Sequence, residues 1–285
     1  MITAVILTMN EEKNIEKCIL SINKFVDEII IVDSGSSDNT IEIAKKYTNM
    51  IFFNKFIDYA TQFNWALDNI SIKNDWILRI DADERLNMEL GNEITENIAN
   101  CKDSITGFVL KQKIIFMGKW IKHGGAYPFK KLMVFRKGIG RIEQKRMDEH
   151  TVLSMGTSIE LRHPGEHYDF KDLTHWISKH NWYATREMQD YFSKQSNTTI
   201  NKKNSKMISR KRERKSLYYK FPLFTRSYLL FLFRYFIKLG FLDGKEGLIF
   251  HYMQAYWYRF LVDAKIYEQN LKGYIYEETG ALRNE

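Results

Sequence analysis

Short, unbroken apolar runs alternate with amphipathic stretches through the first half of the chain. Ala4–Leu7, Glu28–Val32, Met50–Asn54 and Trp76–Ile80 read as strands. Between them, Asn14–Phe25 sets Ile15, Cys18, Ile19, Ile22 and Phe25 at helical spacing. Thr40–Tyr47, capped by Ser37 or Asp38, and Tyr59–Asn69 also read as helices. The strands are continuously apolar rather than alternating, which is the pattern of strands covered on both faces. Strand–helix–strand repetition of this length predicts an α/β fold, a mostly parallel sheet flanked by helices. Ligands of such sheets bind beyond the carboxyl ends of the strands. Thr8-Met9-Asn10-Glu11-Glu12, Asp33-Ser34-Gly35-Ser36 and Asp81-Ala82-Asp83-Glu84 each follow a strand directly, so they are expected to converge on one edge.

The pattern changes after about residue 165. Two domains are expected, 1–165 and a helical, basic and aromatic region at 166–285. Residues 202–220 carry nine Lys or Arg against the single acid Glu213, and Leu223–Leu239 is rich in Phe, Leu and Tyr. Arg226, Leu230, Arg234 and Lys238 recur every fourth residue, a helical stripe. It reads as the basic side of a helix lying in a membrane interface, or as the solvated face of an ordinary buried helix. Residues 248–262 read as a second interfacial helix.

At 285 residues the chain is long enough for one large domain or two small ones. Apolar residues at 44% and few Gly and Pro exclude collagen-like and low-complexity classes. Two cysteines make no disulfide framework and fit a reducing compartment. A net charge of +8 suits nucleic acid, anionic lipid or phosphorylated substrates, without choosing among them. No basic leader precedes the first apolar run, and no stretch reaches the length of a membrane span. The expected location is the cytoplasm, peripheral on the inner face of the cytoplasmic membrane.

The strand-end residues carry the candidate chemistry. Asp81 and Asp83 can hold Mn²⁺ or Mg²⁺ and a ribose hydroxyl, or form a solvated acidic turn. Asp33 can accept from a base N–H, or cap the serine-rich turn that follows it. Glu11 can bind ribose hydroxyls, or favour a helix N-terminus.

Thr8-Met9-Asn10-Glu11-Glu12-Lys13-Asn14-Ile15, Ile31-Val32-Asp33-Ser34-Gly35-Ser36-Ser37-Asp38-Asn39-Thr40 and Asp81-Ala82-Asp83-Glu84 together resemble the family 2 glycosyltransferases of GT-A fold. The likeness is greatest to the lipopolysaccharide core beta-glucosyltransferase-like branch. Gly118-Lys119-Trp120-Ile121, His123-Gly124-Gly125, Tyr127-Pro128 and Asp243-Gly244-Lys245-Glu246-Gly247 extend it over most of the chain. The resemblance implies that Thr8, Met9 and Glu11 line a uridine pocket and that Asp33 reads the base. It implies that Gln62 and Asn64 touch the nucleotide. Asp81 would bind the ribose or the metal, with Ala82 beside it, and Asp83 would coordinate the metal bridging the diphosphate. From the residues themselves, His167 can be a third metal ligand, a diphosphate contact or a hydrogen-bonded structural histidine.

Inverting transfer also needs a base on the acceptor side. Asp148-Glu149-His150 offers one, with Glu149 favoured and Asp148 second, or forms a surface acidic turn paired with Lys145 or Arg146. Where relatives often carry Arg, this chain has Met133; either Lys130, Lys131 or Arg136 carries the missing charge, or the acceptor differs. The implied partners are a UDP-sugar, a lipid-linked or lipopolysaccharide-type acceptor and an anionic membrane surface, with no nucleic acid. A basic nucleic-acid-binding protein is one rival reading, but it leaves three acidic strand-end motifs unexplained and lacks a reader module. A non-catalytic membrane adaptor on the same fold is the other.

Overall fold

Strand β1 (Ile2–Thr8) is buried along nearly all its length, because it runs through the middle of a sheet with parallel neighbours on both sides. The computed structural model describes residues 1–144, 149–168, 171–196 and 206–279. The chain divides into two compact units, residues 1–122 with 126–169, and residues 123–125 with 170–285.

In the first unit, β1 is followed by α1 (Ile15–Ile22), β2 (Glu28–Asp33), α2 (Thr40–Ala44), β3 (Ile51–Phe53), α3 (Tyr59–Asn69) and β4 (Trp76–Asp81). Then come β5 (Glu84–Arg85), α4 (Met88–Asn100), β6 (Ile105–Phe116), β7 (Lys119–Ile121), β8 (Phe129–Arg136), β9 (Gly140–Ile142), β10 (Thr151–Leu153) and β11 (Thr157–His167). The main sheet runs β3-β2-β1-β4-β8-β6-β11-β5, with β7 on β6. Its first four strands are parallel, as their apolar runs predict. β8 enters antiparallel between β4 and β6, and β11 returns parallel to β6. This is the expected α/β sheet flanked by helices. Helix α1 buries Ile15, Cys18, Ile19 and Ile22 against it. Each isoleucine so buried contributes about 1.5–3 kcal/mol relative to an exposed one. Helices α3 and α4 begin at side-chain caps, Asp58 accepting from Thr61 N–H and Asn87 from Leu90 N–H.

The second unit is helical: α5 (Leu173–Ser196), α6 (Lys206–Tyr219), α7 (Thr225–Leu232), a π turn (Phe233–Ile237), a 3₁₀ turn (Gly240–Asp243), α8 (Gly244–His251), a second π turn (Tyr252–Trp257) and α9 (Tyr258–Thr279). Two buried ion networks hold it. Glu187 accepts from Tyr219, Tyr258, Lys215 and Arg259 at 2.5–2.9 Å. Burial opposes the Glu187 charge, but Arg259 and Lys215 outweigh it and hold the carboxyl far below its usual range. Arg226 donates through Nε (2.8 Å) and Nη2 (2.5 Å) to Asp263.

This corrects the expected basic stripe. Arg226 is buried against Asp263 and cannot meet headgroups. Arg234 is half-buried and only Lys238 is exposed. The helix passes from α to π form at Phe233 and ends before the left-handed Leu239. Of the basic run, Lys215 is drawn inward to Glu187, Lys211, Arg214 and Lys220 are exposed, and residues 202–205 lie outside the described residues. Trp176 is core, stacked on His180.

Two quoted motifs meet in this unit. His123 N–H donates to Asp243 Oδ2 (2.8 Å), and His123 Nδ1 lies 2.7 Å from Oδ1. Gly124 is left-handed (φ 65°) and its N–H bonds to Lys238 O at 2.8 Å. A Cβ there would stand 2.0 Å from the His251 ring, and one at Gly240 2.6 Å from it. His251 is fully buried, with neither ring nitrogen hydrogen-bonded. Burial, reinforced by Arg234, pushes its pKa down to about 4.

Two predictions follow from this contact. Gly124→Ala should destabilise the protein by more than the about 1–2 kcal/mol of left-handed backbone alone, because the ring must also move; an unchanged urea midpoint would contradict the packing. His251 stays neutral in the fold while the unfolded chain takes its proton near the ordinary value of about 6.5. Stability should therefore decline as pH falls below about 6.5, the decline ending near 4. A His251 NMR titration centred near 6.5 would contradict it.

Candidate active site

Parallel pairing sets the carboxyl ends of β1, β2 and β4 side by side. Thr8 is opposite Asp33, and Leu7 is opposite Asp81. The three strand-end motifs therefore meet on one edge of the first unit. Thr8 Oγ1 donates to Asp33 Oδ1 at 3.0 Å. Asn10, in the left-handed region that asparagine tolerates, turns the chain so that its N–H donates to Ser36 Oγ (2.8 Å) and its side chain accepts from Ser37 N–H (2.8 Å).

Around Asp81 the site is a buried charge cluster. Its Oδ1 accepts from Tyr59 OH (2.7 Å), and its Oδ2 lies 3.3 Å from Lys131 Nζ. Lys131 also donates to Glu84 Oε1 at 2.6 Å. Glu84, 1% exposed, accepts in turn from Asp81 N–H at 2.9 Å. Burial disfavours the Asp81 charge, but Lys131 and Arg79, with the Tyr59 hydrogen bond, hold its carboxyl below the usual range. Burial pushes Glu84 up, with Asp81 and Asp83 adding to the shift against Lys131 and His167. Burial alone would neutralise Lys131; Glu84 and Asp81 reverse this and hold it protonated well above its ordinary range. Lys131 is thus the candidate that supplies charge here. Lys130 pairs with Glu160 and Arg136 with Asp103, while Met133 is fully buried beneath Gln112.

Strand β5 brings His167 to this edge by pairing antiparallel with β11, His167 opposite Glu84. His167 Nε2 lies 3.5 Å from Asp83 Oδ2, and Tyr168 N–H donates to Asp83 O at 2.7 Å. Among the described residues no three His, Cys, Asp or Glu side chains group as a metal cage. Mn²⁺ and Mg²⁺ need none: they keep waters and share substrate phosphates with one or two protein ligands. Neighbouring ligands of an octahedral ion at about 2.1 Å stand about 3 Å apart, so the Asp83–His167 pair fits such an ion with little movement.

The nucleotide-side candidates fall into two groups. Met9 is exposed, Glu11 is half-buried with Oε2 accepting from Asn14, and Ala82 is buried between the two aspartates. Asp33 is almost saturated: Gly35 N–H and Ser36 N–H donate to Oδ2 (both 2.8 Å), Ser36 Oγ and Thr8 Oγ1 to Oδ1. It caps the serine turn. Gln62 is fully buried, donating to Ser34 Oγ (3.0 Å) and Asn54 O (2.9 Å), and so braces the turn from below. The Asn64 amide pairs with both backbone groups of Ile142, at 2.8 and 3.0 Å, and joins α3 to β9.

Of the two candidate bases, Glu149 is half-buried and Asp148 lies outside the described residues. His150 Nδ1 lies 3.0 Å from Glu143 Oε1. Two residues beyond Glu149, Thr151 Oγ1 accepts from Arg79 Nη1 (3.0 Å), and Arg79 Nε donates to Tyr59 OH (2.7 Å). A continuous chain of bonds thus ties the Glu149 segment to Asp81. Sequence reasoning missed Tyr59 and Arg79. The signal was present, an arginine inside the apolar run Trp76–Ile80, where a charge needs a buried partner.

Acidic strand ends thus gather on one edge of the α/β sheet, with the Asp83–His167 pair beside them. The glycosyl transferase family 2 model matches residues 3–154, and the chain belongs to that family; it is a glycosyltransferase. It is similar to a glycosyltransferase of Rickettsia typhi, at 27% identity over 95% of this chain and 88% of that one. The lipopolysaccharide core biosynthesis glycosyltransferase LpsC of Rhizobium meliloti is 28% identical over 94% of this chain and 93% of its own length. Glucosyl-3-phosphoglycerate synthase from Mycobacterium tuberculosis, solved with Mg²⁺ and UDP, overlaps only 40% of this chain and 43% of its own, at 23% identity and a TM-score of 0.33. Among the described residues no helix is long and apolar enough to cross a membrane.

Removing Lys131 should expose the cost of the cluster. Lys131→Met leaves two buried carboxylates without their cation and should lose about 3–5 kcal/mol of stability in urea unfolding, while Lys131→Arg should retain most of it. Equal midpoints for Met and wild type would contradict the charge balance described.

Proposed function

We propose that this enzyme transfers one sugar per encounter, with inversion, from a UDP-sugar to a lipid-linked or lipopolysaccharide-type envelope glycan. Its place of work is the inner face of the cytoplasmic membrane, against anionic lipid. The observation that carries the donor side is the meeting of Thr8, Asp33 and Asp81 at neighbouring strand ends, with Asp83 and His167 3.5 Å apart beside them. The likeness to LpsC over nearly the whole chain supports the acceptor class.

In this reading Thr8, Met9 and Glu11 line the uridine pocket. Asp33 reads the base, which requires the Ser36 hydroxyl to rotate off Oδ1. Gln62 acts by bracing the serine turn and Asn64 by fixing α3, so both position the nucleotide pocket rather than touch the ligand. Asp81 and Ala82 lie along the ribose. Asp83 and His167 hold Mn²⁺ or Mg²⁺, which when bound neutralises the charge left on the departing diphosphate. Lys131 keeps Asp81 ionised. Glu149, with Asp148 as its neighbour, takes the acceptor hydroxyl proton on the face opposite the diphosphate.

Asp83→Ala should abolish transfer and metal-dependent UDP binding in calorimetry while the circular dichroism spectrum is unchanged; full wild-type turnover in EDTA would remove the metal. Glu149→Gln should keep UDP affinity and lose about 10²–10⁴ in turnover. An active Glu149→Gln beside a dead Asp148→Asn would transfer the role to Asp148.

A further inference from the structure

Six large apolar side chains stand out from ten consecutive residues of the second unit. Phe233, Phe236, Ile237, Leu239, Phe241 and Leu242 are 44–70% exposed. They occupy the π turn, the left-handed Leu239 and the 3₁₀ turn, so the corner turns through its own stretch of exposed hydrophobes. Isolated exposed hydrophobes are ordinary, but a crowd of this size on a monomer marks a surface meant to be covered. The corner is also held firmly. Gly124 N–H bonds to Lys238 O, Asp243 bonds to His123, and the His251 ring fills the space under Gly124 and Gly240. Leu239 adopts a left-handed conformation (φ 59°) that leucine rarely takes, and its side chain is still 46% exposed.

The charges bordering these side chains have one sign at the surface. Lys238 and Lys245 are exposed, Asp243 is buried and Glu246 is half-buried. Protein–protein interfaces are depleted in lysine, whereas a bilayer interface takes aromatic and aliphatic side chains among the acyl chains and lysines at the headgroups. We propose that the corner at 233–242 is the segment that inserts into the membrane interface, with Lys238 and Lys245 against anionic headgroups. This rests on the membrane-facing reading above and moves the contact from the Arg226 stripe to an apolar surface.

The test is vesicle co-sedimentation of the full chain, with phosphatidylglycerol–phosphatidylethanolamine vesicles against pure phosphatidylcholine. Phe236→Glu/Ile237→Glu alters two exposed positions, so its circular dichroism spectrum should match wild type. Its binding to the anionic vesicles should be at least about tenfold weaker, and the salt-resistant part should vanish. Ile237→Trp should show blue-shifted emission, quenched by brominated lipid. If the double variant binds like wild type while Lys211→Glu/Arg214→Glu releases the protein, the membrane reading stands and this corner is not its anchor. If wild type binds neither vesicle, both fail. If sedimentation equilibrium gives a wild-type dimer that Ile237→Glu separates, a second copy covers the corner and the lipid assignment is overturned.

Discussion

The charge of Lys131 is the interaction on which the site depends. Asp81 at the end of β4 and Glu84 at the start of β5 are both largely removed from water, and two such carboxylates cannot stay ionised without a cation. The sheet supplies one by running β8 antiparallel beside β4. The register that pairs Leu78 with Val134, continued along the strands, sets Lys131 opposite Asp81. Arg79 reaches the same carboxylate through Tyr59 and joins it to Thr151, near Glu149. Asp83 lies two residues beyond Asp81, so its place beside His167 is inherited from that balance and from the β5–β11 pairing.

Much of this was legible in the sequence because it is local. Continuous apolar runs ending in Thr8, Asp33 and Asp81 fix strand direction and depth together, and parallel pairing does the rest. The α/β class and the converging edge follow from that alone. What pattern cannot carry is the pairing of distant strands. Lys131 is fifty residues from Asp81, and from sequence it was one of three equal candidates. Only the antiparallel insertion of β8 separates it from Lys130 and Arg136, whose side chains go to Glu160 and Asp103. Gln62 and Asn64 lie in the expected helix, but their protein partners Ser34, Asn54 and Ile142 could not be named from sequence, since an amide that braces a turn and one that touches a ligand look alike there.

The helical unit was the harder reading for the same reason. A helical stripe carrying Arg226, Arg234 and Lys238 looks like a solvated or headgroup face, and periodicity cannot show an acid waiting across the fold. Asp263 takes Arg226 into the interior, and Glu187 does the same to Lys215 and Arg259. Such buried pairs need both members, so losing one leaves a charge stranded. The exposed apolar corner lies where the helix the sequence predicts turns to π form and ends. The convergence of Gly124 and Gly240 on His251 shows why glycine stands at both, with no side-chain room beside the buried ring.

The most direct test of the whole account is anomalous diffraction at the manganese edge from crystals grown with Mn²⁺ and UDP. One strong peak is expected within bonding distance of Asp83 and His167, with Lys131 still between Asp81 and Glu84 and the uridine over the β1 and β2 ends. A peak bound elsewhere, or ordered UDP at this edge with no metal near Asp83, would contradict it.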